Sequence, residues 1–188
     1  MSRNMFVVGR HPVELALAAE CGIVPHCLYL QSDARDPALT RIRNAARERG
    51  LSIQAAKKAA LERMAGPTPH QGVVLEARPF VYADLDDALG AIPDAEQPLV
   101  VVLDQIQDPH NLGAILRSAY SFGAHLAVIP EHRAAAITPA ALKSAAGAAG
   151  FLPVARVTNI RQALQQLGQA GLACYGLAGD DGSQPIIE

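Results

Sequence analysis

The chain has 188 residues, enough for one medium domain or two small ones with a real hydrophobic core. Half of the residues are hydrophobic and 18% are charged, which excludes disorder as the default state. The net charge of -2 conceals an asymmetry: residues 1–80 hold eleven Lys/Arg against seven Asp/Glu (+4), and residues 81–188 hold five against eleven (-6). A basic N-terminal part beside an acidic C-terminal part fits a polyanion-binding module joined to something else. The apolar run before Gly9 is too short for the core of a signal peptide, and no run approaches the length that spans a bilayer. Cys21, Cys27 and Cys174 are odd in number and lack a close-spaced metal pattern. Even with His26 nearby they read as free thiols of a reducing compartment, so a soluble cytoplasmic protein without a metal site is expected.

Short β-type runs alternate with helical patterns along the whole chain, the signature of a layered α/β architecture. A strand is predicted at 6–8, a helix at 12–20 and a strand at 27–30. Asp36 as N-cap and Pro37 as first residue open the next helix, where Leu39, Ile42 and Ala46 fall at helical spacing. Gly50 ends that helix, and a strand at 51–53, a helix at 57–64, a loop at 66–69 and a strand at 73–77 follow. Pro79, Pro93 and Pro98 bracket a connecting segment with one short acidic helix at 84–89. Three parts are therefore expected: 1–77, a linker at 78–97, and 98–188.

In the last part, the uninterrupted aliphatic run 99–103 suits a central strand buried on both faces. A helix at 111–122, a strand at 126–129, and a helix opened by Thr138 and Pro139 come next. Strands at 154–157 and 172–177 flank a helix at 160–167. This βαβ series predicts a parallel sheet.

The chemistry concentrates in the segment Asp108-Pro109-His110-Asn111-Leu112-Gly113, which continues to Arg117 and Gly123. A strand ends, a polar loop follows and a helix begins, and ligands of open α/β sheets bind beyond the carboxyl ends of strands. Leu112, Ile115, Leu116 and Ala119 form the buried stripe by spacing, while Gly113 and Arg117 are four residues apart on another. Helical side chains lean toward the N-terminus, so Arg117 would project over Gly113 toward the opening turn and meet a phosphate there. Asn111, at or beside the N-cap, would turn its amide to the ligand. On spacing alone this stands level with a blander account in which Asn111 caps, Gly113 packs and Arg117 is solvated.

The run from Asp108 to Gly123 closely resembles the first signature motif of the SpoU/TrmH-type RNA ribose 2′-O-methyltransferases of the SPOUT superfamily. Leu142-Lys143-Ser144-Ala145-Ala146-Gly147, followed by Leu152-Pro153-Val154, resembles the next conserved block. Gly9-Arg10-His11-Pro12-Val13 and His70-Gln71-Gly72-Val73 resemble the opening and closing signatures of the substrate-binding domain in the ribosomal-RNA members. The match covers nearly the whole chain. It implies a small α/β RNA-binding domain followed by a parallel-sheet catalytic domain, working as a homodimer with S-adenosylmethionine as methyl donor. By position, Arg117 would be the catalytic arginine and Asn111 its polar companion. An arginine stays protonated, so gripping a phosphate or steadying a developing alkoxide is favoured over proton abstraction.

Two later family motifs, which form most of the donor pocket and the knot, do not follow. Leu177 and Ala178 would supply one rim of that pocket. The expectation is a truncated catalytic domain without its knot, inactive by itself. For RNA recognition the resemblance singles out Arg10, His11, His70 and Gln71. Arg43 and Arg47, together on one face of the 37–49 helix, are phosphate candidates or simply a solvated face. Aromatic residues make up only 4% of the chain, which points to structured RNA read by shape, and the resemblance of the N-terminal domain implies ribosomal RNA in preference to transfer RNA. A non-catalytic RNA-binding protein is the competing reading. Another nucleotide-binding α/β enzyme is disfavoured, because no strand is followed by a GxGxxG or Walker-type loop.

Overall fold

The computed structural model describes residues 4–32, 36–93 and 97–177. Its first part runs β1 (Met5–Val8), α1 (Arg10–Ala18), β2 (Pro25–Gln31), α2 (Pro37–Glu48), β3 (Ser52–Ala56), α3 (Lys58–Ala65) and β4 (Val73–Ala77). The strands form one sheet in the order β1-β4-β2-β3, with β4 antiparallel to both neighbours and β2 parallel to β3. Successive strand residues point to opposite faces, and β4 shows why Val, Val and Leu are adjacent in it. Val73, Leu75 and Ala77 join Val13, Leu17, Leu39 and Ile42 of α1 and α2, while Val74 packs with Leu61 and Ala65 of α3. Helices thus cover both faces of this strand, so its alternation of polar and apolar residues is lost. Asp36 caps α2 as predicted, accepting from Ala38 N at 2.8 Å.

On this sheet Glu76 gathers two donors: Asn4 Nδ2 at 2.7 Å and the Tyr29 hydroxyl at 2.9 Å. The Asn4 amide first, and then the Tyr29 hydroxyl, hold the Glu76 carboxyl below the usual carboxylate range. The same contact with Glu76 pushes the Tyr29 phenol well above its ordinary value.

The second part runs α4 (Leu85–Gly90), β5 (Val100–Val102), α5 (Pro109–Ser121), β6 (Leu126–Pro130), α6 (Pro139–Ser144), a 3₁₀ turn (Ala148–Gly150), β7 (Val154–Val157) and α7 (Ile160–Gln169). The strands lie in the order β5-β6-β7 and all are parallel. Every residue of β6 is buried. Leu126 and Val128 pack with Leu85, Ala163 and Leu167 of α4 and α7, whereas Ala127 and Ile129 face Leu112 and Leu116 of α5. The two parts share a core: Val13 and Leu17 belong to the same cluster as Leu142, Ala149 and Leu152. Backbone N–H groups of Glu20 and Cys21 both donate to the Gly150 carbonyl, at 2.7 and 3.0 Å, tying the end of α1 to the 3₁₀ turn.

Two expectations fail, and one helix ends early. The aliphatic run 99–103 yields only the three-residue β5, half-buried throughout and at the edge of the described sheet; β6 is the doubly covered strand. Hydrophobicity alone does not order strands, and Leu99 ends up 44% exposed. The helix opened by Thr138 and Pro139 is present but short, because Ala146 and Gly147 take φ of 47° and 91° and the helix ends at Ser144. Residues 172–177 form no strand. Leu172 is half-buried, the rest are exposed, and no described strand lies beside them to take their N–H and C=O groups.

Candidate nucleic-acid and methyl-transfer site

Helix α5 begins two residues earlier than its spacing suggests. Asp108 is the N-cap, its carboxylate accepting from His110 N at 2.9 Å, and Pro109 takes the first helical position, where a missing N–H costs nothing. Asn111 is therefore not the cap. It is the third residue of the helix, exposed, with its amide left out of the capping hydrogen bond. Leu112, Leu116 and Ala119 are buried as their spacing requires. Arg117 is exposed, and its guanidinium has no hydrogen-bond or ion-pair partner among the described residues.

Gly113 does not clear a path for Arg117. It is buried where α5 crosses α6, and a Cβ there would run into the Ala141 carbonyl oxygen and lie 2.6 Å from Ser144 Cβ and 2.9 Å from Ala145 N. The glycine lets two helix backbones touch. The same crossing brings His110 Nδ1 to 2.9 Å from Ser144 Oγ. One side of α5 is thus locked onto α6, and Asn111 and Arg117 remain on its free surface.

The structure brings Arg10, His70 and Gln71 together. Gln71 adopts φ 52°, a left-handed turn conformation, followed by Gly72 at φ 85°. The turn is pinned from two directions. Arg10 N donates to Gln71 Oε1 at 3.0 Å, and Arg10 Nε donates to the Gln71 carbonyl at 3.1 Å. Buried His70 accepts from Gly72 N through Nδ1 at 3.0 Å, which leaves its proton on Nε2. Arg10 then reaches Asp36 at 2.8 Å. These residues line a cavity of about 750 Å³ whose mouth also carries Gln31, Lys58 and Glu62. Asp36 was legible only as a helix cap, since its second role needs the starts of α1 and α2 to approach one another.

The remaining candidates are elsewhere. His11, one residue past Arg10, is exposed and lines a different cavity, between the two parts. Arg43 is half-buried and Arg47 exposed on α2, and neither lines the cavity around Gln71. Leu177 is 82% exposed, and Ala178 lies outside the described residues. The described residues therefore do not fit an enclosed site for a methyl donor. Among them no group of three or more His, Cys, Asp or Glu could hold a metal ion. Cys21, Cys27 and Cys174 are free thiols.

Residues 98–187 match the model of the SpoU rRNA Methylase family, and residues 6–83 match that of RNA 2′-O ribose methyltransferase substrate binding. The chain belongs to the SpoU methylase family. A SpoU relative in Mycobacterium avium, named as an uncharacterized tRNA/rRNA methyltransferase, is 41% identical over 190 residues, covering 96% of this chain and 61% of the relative. One of the same name in Mycolicibacterium gilvum is 45% identical over 179 residues, covering 93% and 56%. The chain thus spans about three fifths of the length of these relatives. Among solved structures, the SpoU methyltransferase AviRb from Streptomyces viridochromogenes, in complex with the cofactor AdoMet, is similar with a TM-score of 0.70 and 24% identity, over 89% of this chain and 60% of that one. An AdoMet-bound rRNA methyltransferase from Sinorhizobium meliloti is similar with a TM-score of 0.69 and 21% identity, over 89% and 59%. These likenesses carry the mixed α/β SPOUT fold with its parallel sheet.

Proposed function

We propose that this SpoU chain recognises structured RNA, ribosomal RNA in particular, for S-adenosylmethionine-dependent methylation of a ribose 2′-hydroxyl, in the cytoplasm and as part of a homodimer. Residues 1–77 hold the RNA, 78–97 connect, and 98–188 belong to the methyl-transfer domain. The observation that carries the reading is the guanidinium of Arg117, without a partner among the described residues, on the free surface of α5, a helix otherwise locked by Gly113 and Ser144. A fixed helix with one unpaired cation positions charge without reorganisation, which suits a phosphate or a developing alkoxide. The Asn111 amide supplies a neutral donor and acceptor on the same helix.

In the N-terminal part, Arg10 is engaged with Asp36 and Gln71, so its role is to hold the turn. The Gln71 amide NH₂ is left to meet RNA, the exposed Lys58 ammonium would have to turn from Glu62, 3.8 Å away, to join it, and His11, Arg43 and Arg47 add phosphate contacts away from that turn. With Leu177 82% exposed, these 188 residues alone bind the donor weakly and transfer no methyl group.

Calorimetric titration of S-adenosylmethionine into the chain, beside salt-dependent binding of a ribosomal RNA fragment, tests both halves. RNA affinity that falls steeply with salt, without saturable donor binding, supports the proposal. Methyl transfer by the isolated chain overturns the inactivity, and absence of RNA binding overturns the recognition role.

A further inference from the structure

Between the two parts lies a second cavity, of about 820 Å³. Its walls are apolar: Phe6 and Val8 of β1, Leu15 of α1 and Met64 of α3 on one side, Ala140 and Leu142 of α6 on the other. Beside the neutral Asn4 and Thr68, its ionisable groups are all basic. His11, His110 and Lys143 line it, and none of its twenty lining residues is Asp or Glu. His110 uses Nδ1 on Ser144, leaving Nε2 without a hydrogen bond among the described residues. Lys143 and His11 are exposed, with no ion pair among the described residues. Apolar walls suited to a flat ring, beside cationic and imidazole groups with no carboxylate in the lining itself, are complementary to a nucleobase and its phosphate.

The position of the cavity adds a second line of support. Thr68 lines both this cavity and the one around Gln71, so the two adjoin at that residue. At the other end His110 is followed directly by Asn111 on α5. A strand leaving the Gln71 turn would cross the cavity before reaching the free surface of α5.

We propose that the interdomain cavity receives one unpaired nucleotide of the RNA substrate, its base between Phe6, Met64 and α6, its phosphate on Lys143 and His110 Nε2. This rests on the RNA-recognition reading above and adds a subsite to it. The cavity links the recognition turn to the methyl-transfer helix.

The test uses the 188-residue chain, a short fluorescein-labelled single-stranded RNA containing 4-thiouridine, and a base-paired hairpin lacking unpaired bases. Lys143→Ala should weaken single-strand binding about three- to tenfold and flatten its salt dependence by about one ion. Ala140→Trp, which fills the cavity, should weaken it about tenfold while hairpin affinity holds. Photocrosslinks should map to Phe6, Met64 or His110. Circular dichroism checks both variants; if Ala140→Trp does not fold, Lys143→Ala and the crosslinks decide. Unchanged affinity in Lys143→Ala with crosslinks confined to the Gln71 side overturns the cavity proposal and leaves RNA recognition standing. Binding of the hairpin but not the single strand does the same. If neither RNA binds, the recognition reading falls with it.

Discussion

One carboxylate of Asp36 serves two partners: Oδ1 accepts from Ala38 N at 2.8 Å and caps α2, while Oδ2 meets the Arg10 guanidinium at 2.8 Å. The pair is partly exposed, its side chains retaining 39% and 30% of their accessible surface, so the ion pair contributes little beside the cap. Asp36→Ala should cost about 1–2 kcal/mol in urea unfolding, and Asp36→Asn clearly less, because an amide oxygen still caps. Equal losses in the two variants would mean that the Arg10 contact, not the cap, carries the effect.

The same substitution at two glycines should act in opposite directions. Gly113→Ala forces a methyl into the Ala141 carbonyl and Ser144, and overpacking of this kind costs about 1–3 kcal/mol. Gly168, inside α7, has nothing within 4 Å of a built Cβ. Gly168→Ala should therefore stabilise by about 0.5–1 kcal/mol through helix propensity and reduced unfolded-state entropy. Thermal unfolding of both variants reads the contrast directly, and a shift of the same sign in both would contradict the helix-crossing account.

Neighbouring residues of α5 should separate stability from function. Leu116 is fully buried, and Leu116→Ala should cost about 2–5 kcal/mol. Arg117 is exposed without a partner among the described residues, so Arg117→Ala should leave stability within about 0.5 kcal/mol. A marked loss of stability in Arg117→Ala would show that its guanidinium serves the fold instead of a ligand.

Acid should weaken the N-terminal sheet through Glu76. Its folded-state pKa is lowered by Asn4 and then Tyr29, so its contribution is present above the unfolded pKa and lost as pH falls through the lowered folded value. Urea midpoints of the wild type and Glu76→Gln should differ at neutral pH and converge in acid. A gap that persists to the lowest pH would assign the effect to packing. At the alkaline end the raised Tyr29 phenol has the opposite sign: its contribution is present below the unfolded value and fades as pH rises above it.

Much of the fold was legible because it follows from local rules. Asp36-Pro37 and Thr138-Pro139 announced two helix starts that the structure keeps, with both side chains capping. The stripe of Leu112, Leu116 and Ala119 is buried as spaced. Asn111 was misplaced because Asp108 and Pro109 are also good helix openers, and two adjacent signals cannot be ranked by composition alone. Of the recognition residues, Arg10, His70 and Gln71 share one cavity, but nothing in the linear order separates His11, one residue away, onto another.

By itself, then, the sequence determined the alternation of strands and helices, the family, and which residues are polar enough to act. Those properties depend on residue type and near-neighbour spacing. Tertiary structure decided that β6 and not β5 is the doubly covered strand, that Gly113 is a helix-crossing contact, and that Asp36 joins Arg10. It also placed His11, His110 and Lys143 around one cavity. Each of these is a contact between elements far apart in the chain, set by how sheets and helices pack together, and no local periodicity encodes it.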